Sequence, residues 1–150
     1  MKRALIYIGI VLSLFWVPVE GADLEKMHPV EVVQLYREGE IVVLRTDTED
    51  MGIGTTVVAA LENLQDTTPG FIYLDTAQYL ILTEDTAQDV EMLRPYMKKS
   101  LQMCYGEKGT DLTLAAEFLP AHGRLPQLRH YQPGMDLPKL TVLEKRLKLS

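Results

Sequence analysis

The sequence predicts an α/β (α+β) domain built on a mixed β-sheet, with an N-terminal hairpin and about three packed helices. Three observations predict it. Short continuous apolar runs at residues 71–74 and 79–82 suit strands covered on both faces. Segments with helical apolar spacing alternate with β-rich runs, which calls for helices packed over a sheet. The chain has 150 residues, 47% of them hydrophobic, and a formal charge of −6, which suits one folded domain rather than a disordered polymer.

The elements follow in order. Met1-Lys2-Arg3 is a basic start, and residues 4–19 run without a charge. As a helix this run would span roughly 24 Å, short of a bilayer core of about 30 Å. A basic start, an apolar stretch and small residues make a secretory signal, with cleavage expected after Gly21; an uncleaved signal anchor is the alternative. Residues 1–21 are therefore a signal peptide or signal anchor, and residues 22–29 a linker ending in Pro29. Removing residues 1–21 takes away Lys2, Arg3 and Glu20, leaving 13 Lys+Arg, 20 Asp+Glu and a net charge of −7. The main domain is expected over residues 30–132, and a basic tail or edge hairpin over 133–150.

Within the domain, residues 30–37 and 40–46 are rich in β-formers and flank Glu38-Gly39, the pattern of a hairpin. Residues 47–54 read as a polar loop closing with Gly52 and Gly54. Thr55 or Thr56 caps a first helix, in which Val57, Leu61 and Leu64 share one face and which Thr67-Thr68-Pro69-Gly70 stops. A second helix opens at Thr83-Glu84-Asp85, with Asp85 and Gln88 at capping-box spacing. It carries Val90, Leu93 and Met97 as its stripe and is kinked or ended by Pro95. Residues 101–105 form the next strand, residues 111–119 a third helix closed by Pro120, and residues 127–131 another short strand.

Composition excludes several functions. One cysteine leaves no internal disulfide framework and no Cys-rich zinc module. An acidic chain lacks the basic face that nucleic acid requires. Gly52 and Gly54 before a helix suggest phosphate binding, but the third glycine of the dinucleotide fingerprint is Val57 and no P-loop lysine follows. Asp47, Glu49 and Gly52 fit an EF-hand loop at its first, third and sixth positions, whereas Met51 and Val58 replace its ligands at the fifth and twelfth. Cys104 lies among Leu101, Met103 and Tyr105 with no recognisable base, and His28, His122 and His130 form no metal motif. No catalytic residue, metal or cofactor is expected.

The candidate binding residues are Asp47, Asp50, Gly52, Gly54, Asp75, Thr76 and Tyr79. Carboxylates at strand ends line crevices in α/β sheets, and the 47–54 loop and Asp75-Thr76 share one if they follow strand ends on the same side. A small metal-dependent envelope enzyme using the acidic loop and Asp75 is the alternative use of these groups.

One stretch carries a family resemblance. Gly52, Gly54 and Thr56 open a helix containing Ala60, Leu61 and Leu64. The Tyr-Leu-Ile-Leu strand at 79–82 and a helix, strand, Gly, helix order ending at Leu119 follow. Over residues 46–121 this resembles the N-terminal domain of the Ger(x)C spore germination proteins, membrane-anchored subunits of germinant receptors; the family's lipobox cysteine has no counterpart here. The chain is equally similar to small exported proteins of spore-forming bacteria. The resemblance implies a non-enzymatic, extracytoplasmic domain. Its partner would be an envelope or membrane protein or a small ligand, with the membrane touched only through the N-terminal segment.

Overall fold

The computed structural model describes residues 27–122, 124–143 and 146–150. The expected signal segment and residues 22–26 of the expected linker lie outside the described residues. The fold is a mixed α+β domain, as the sequence predicts. Its main sheet contains strands β2 (Val32–Glu38), β3 (Ile41–Thr46), β4 (Met51–Gly54), β6 (Tyr79–Leu82), β7 (Gln102–Gly106), β8 (Lys139–Leu143) and β9 (Arg146–Leu149), in the order β4-β3-β2-β6-β7-β8-β9. The central strands β2, β6, β7 and β8 are parallel, and an antiparallel pairing closes each side. A separate parallel pair joins β1 (Met27–Pro29), within the expected linker, to β5 (Phe71–Tyr73).

Alternation along the strands divides the core in two. Val33, Leu35, Val42, Leu44, Leu80, Leu82 and Met103 point to one face. Helix α1 (Val57–Thr67) and the short α2 (Val90–Leu93) cover that face with Val57, Ala60, Leu61, Leu64, Val90 and Leu93. Val32, Tyr79, Ile81 and Cys104 point the other way, beneath Leu112, Ala115 and Leu119 of α3 (Leu112–Phe118) and the turn after it. The connection from β7 to β8 touches both faces. It begins with α3 and passes the edge of β7, where Met103 N–H donates to the Pro126 carbonyl at 2.8 Å. It then buries Leu128, Tyr131 and Leu137 on the α1 side.

Helix α1 forms where its cap and apolar spacing place it. Thr56 Oγ1 accepts the Ala59 N–H at 3.1 Å, and Thr67 and Thr68 return their hydroxyls to the Asn63 and Leu64 carbonyls at 2.7 Å each. The helix lies unusually close to β4. A Cβ on Gly52 would sit 2.1 Å from the Ala60 carbonyl oxygen, and one on Gly54 would sit 2.5 Å from the Ala60 nitrogen. These glycines therefore belong to a strand under a helix, which corrects the polar loop expected over 47–54: only residues 47–50 turn, and residues 51–54 pair with β3.

Three other elements differ from expectation. Residues 71–74 are not covered on both faces: Ile72 and Leu74 are buried, but Phe71 is 68% exposed. The second helix is broken into a 3-10 turn (Glu84–Asp89), α2 and a second 3-10 turn (Arg94–Tyr96), and Pro95, which supplies no N–H, ends α2. Thr83 and Thr86, rather than an Asp85–Gln88 capping box, organise its start. Its apolar stripe of Val90, Leu93 and Met97 is nonetheless buried. Residues 127–131 give one bridge, Gln102 to Gln127, and a 3-10 turn (Leu128–His130) instead of a strand.

Arg37 on β2 grips Asp89 at the start of α2 with two hydrogen bonds of 2.9 Å, tying this broken segment to the sheet. The Asp89 carboxylate raises the Arg37 pKa by hydrogen bonding and charge.

The closeness of α1 to β4 makes a stability prediction. Gly52→Ala should lower the unfolding free energy by about 3 kcal/mol through overpacking against backbone. Gly109→Ala, at a left-handed φ of +74° with nothing within 4 Å of the new Cβ, should cost only about 1 kcal/mol. Urea titration of both variants checks the contrast.

Candidate ligand groove beside helix α1

The outer side of α1 meets the chain around β5 across an open groove of about 650 Å³. Leu61, Ile72 and Leu74 form its apolar floor, with Val58, Tyr73 and Tyr96 as walls. Tyr96 is 46% exposed at the rim, whereas the floor residues Leu61, Ile72 and Leu74 are mostly buried. The polar lining consists of Gln65 and three carboxylates, Glu62, Asp66 and Asp75. Gln65 Nε2 donates to the Ile72 carbonyl at 3.1 Å and so fixes one wall to the other.

This lining contains no lysine or arginine. Lys98 stands outside the lining, its Nζ donating to the Thr76 carbonyl at 3.4 Å, one residue beyond Asp75. Glu62 and Asp66 lie four residues apart on one helix face, where like charges repel. Asp66 also stands in the last turn of α1, which has no basic residue, so its charge opposes the helix dipole. The acidic rim thus acts against helix stability.

The sequence-predicted residues separate into different environments. Asp75 lines the groove. Thr76, beside it, is used by the backbone: its hydroxyl accepts the Val30 N–H at 3.1 Å and lies 2.6 Å from the Tyr73 carbonyl that receives its proton. Asp47 Oδ1 accepts the N–H groups of Glu31 and Val32 at 3.0 and 3.1 Å, holding the start of β2. Asp50 accepts the Thr48 hydroxyl at 2.7 Å within the β3–β4 turn, where Glu49 takes a left-handed φ of 67°. Tyr79 is buried on the α3 side of the sheet, and burial raises its phenol pKa. Gly52 and Gly54 face α1.

The expected shared crevice is therefore not formed. Asp47 and Thr76 both bind the segment that leads into β2, yet Asp47 lines a separate cleft of about 450 Å³ with Arg45, Glu49 and Asp111. Arg45 Nη1 reaches the buried Gln34 Oε1 at 3.4 Å in that region. Of the residues lining the groove, only Asp75 was among the sequence-predicted binding residues. The helix offered one signal: Val58, Glu62 and Asp66 stand at i, i+4 and i+8 on the side opposite the core stripe.

Among the described residues, no group of three or more His, Cys, Asp or Glu is placed to hold a metal ion. His122 stacks on Phe118 with ring centroids 3.6 Å apart, and its Nδ1 lies 2.7 Å from the Phe118 carbonyl oxygen. Cys104 is fully buried in β7, and burial pushes its thiol from 9.0 up to about 12. A thiol held protonated there is a poor nucleophile at neutral pH. No helix among the described residues is long and apolar enough to cross a membrane. No protein-family model matches the chain, and neither a curated protein nor a solved structure matches it.

Two predictions follow from these placements. Asp47→Ala leaves two backbone N–H groups without their acceptor and should cost about 1–2 kcal/mol in urea denaturation, whereas Asp75→Ala should be near neutral. Cys104 should resist iodoacetamide in the folded protein and react fully after unfolding. Its raised pKa means the folded state keeps a proton that the unfolded chain releases. That contribution to stability is full below pH 9.0 and is lost as pH rises toward about 12. Alkaline melts should accordingly fall more steeply for the wild type than for Cys104→Ala.

Proposed function

We propose that this chain is an extracytoplasmic, non-enzymatic binding domain that captures a ligand or an envelope partner in the groove beside α1. The observation that carries the reading is the groove itself: an open concavity with an apolar floor, exposed apolar walls and a few polar groups is the usual form of a binding site. The basic start and uncharged run of residues 1–19 support export. The resemblance of residues 46–121 to the Ger(x)C N-terminal domain supports a role as accessory of a spore or envelope membrane complex.

Nile red, a neutral apolar dye, tests the groove directly. The wild-type protein should bind it saturably with enhanced fluorescence. Tyr96→Asp and Val58→Asp, both at exposed walls, should weaken binding by about tenfold without changing the melting temperature much. Saturable binding that both variants leave intact would remove the groove from the reading. Cell fractionation that leaves the chain in the cytosol would remove its extracytoplasmic half.

A further inference from the structure

We infer that the groove beside α1 takes a short basic peptide segment with one bulky apolar side chain, which docks on Leu61, Ile72 and Leu74 while flanking lysines or arginines meet Glu62, Asp66 and Asp75. The inference rests on the binding reading above and adds the chemistry of the occupant.

Charge complementarity selects this class. Three carboxylates and no cation line an apolar floor, so an anionic or uncharged apolar ligand would leave them unmatched. The rim is also costly to the free protein, since Glu62 and Asp66 repel each other and Asp66 opposes the dipole of α1. A bound cation relieves both effects, and the affinity it gains is the stability the empty groove lacks. Dimensions point to a peptide. From Val58 to Asp66 the helix wall runs about 12 Å, at 1.5 Å per residue. That length suits about three to four residues of extended chain: one apolar anchor with a basic neighbour on each side. The net charge of −7 expected for residues 22–150 adds long-range attraction for such a segment.

The test uses the full-length protein and three dye-labelled peptide amides, KLFKK, QLFQQ and ELFEE, read by fluorescence anisotropy. KLFKK should bind saturably, at least about tenfold tighter than QLFQQ and with ELFEE weaker still. Raising the salt should weaken KLFKK alone. The variant Glu62→Gln/Asp66→Asn/Asp75→Asn should lose at least about tenfold for KLFKK, hold QLFQQ unchanged, and melt no lower than the wild type. Equal binding of KLFKK and QLFQQ, both lost in Tyr96→Asp, would overturn the basic-peptide inference and keep the groove as an apolar site. Failure of every peptide together with failure of Nile red would overturn both readings. A protein that sediments as a dimer, and as a monomer once the three carboxylates are neutralised, would assign the groove to a second copy and overturn the inference.

Discussion

The close approach of α1 to the bare backbone of β4 sets the geometry of that side of the sheet. Gly52 and Gly54 have no Cβ, so the Ala60 backbone and Leu64 side chain occupy the space a side chain would fill. No side chain on β4 separates the helix from the sheet, and its buried stripe packs in one cluster with Leu44, Leu35 and their neighbours. The opposite stripe, Val58–Glu62–Asp66, is then left facing the chain around β5. The groove is the residue of that arrangement: one wall is a helix locked to a strand, and the other is a strand outside the main sheet.

The second wall is positioned by different means. Thr76 bonds the backbone at Val30, and β5 pairs with β1, so the β5 segment is tied to the chain just before β2. On the far side of Val30, Asp47 fixes the next two N–H groups of that chain. Asp47 and Thr76, whose types suggested ligand contact, thus fix the course of the backbone, and Asp75 is the candidate that lines the groove. Short polar side chains beside turns satisfy local donors more readily than distant partners.

Much of the fold was legible because its apolar spacing is regular. The hairpin of β2 and β3 follows from two β-rich runs around Glu38-Gly39, the strand YLIL from a continuous apolar run, and the buried stripe of α1 from a period of 3.6. Strand β4 was hidden because two of its four residues are glycines, which erase the apolar half of the alternation while Met51 and Ile53 point outward. The run at 71–74 misled because two aromatics count as core residues in a pattern, yet Phe71 and Tyr73 are exposed beside the groove. The groove was mostly illegible for the same reason that sites often are: its residues come from α1, the segment after β5 and the turn at Pro95, and no local spacing links them. Asp75 was visible as a carboxylate beside a strand, but its companions Glu62 and Asp66 look in sequence like an ordinary solvated helix face.

The passage of residues 126–128 along the edge of β7 has a consequence for how the sheet comes apart. Because Pro126 and Leu128 already occupy the lower half of that edge, β8 meets β7 through two residue pairs, Tyr105 with Lys139 and Gly106 with Leu140. The C-terminal hairpin is therefore joined to the sheet by a short ladder and by Leu140 and Leu147, which are buried in the core on the α3 side. Its amides should exchange with solvent before those of β6, whose four residues are all buried and paired on both sides.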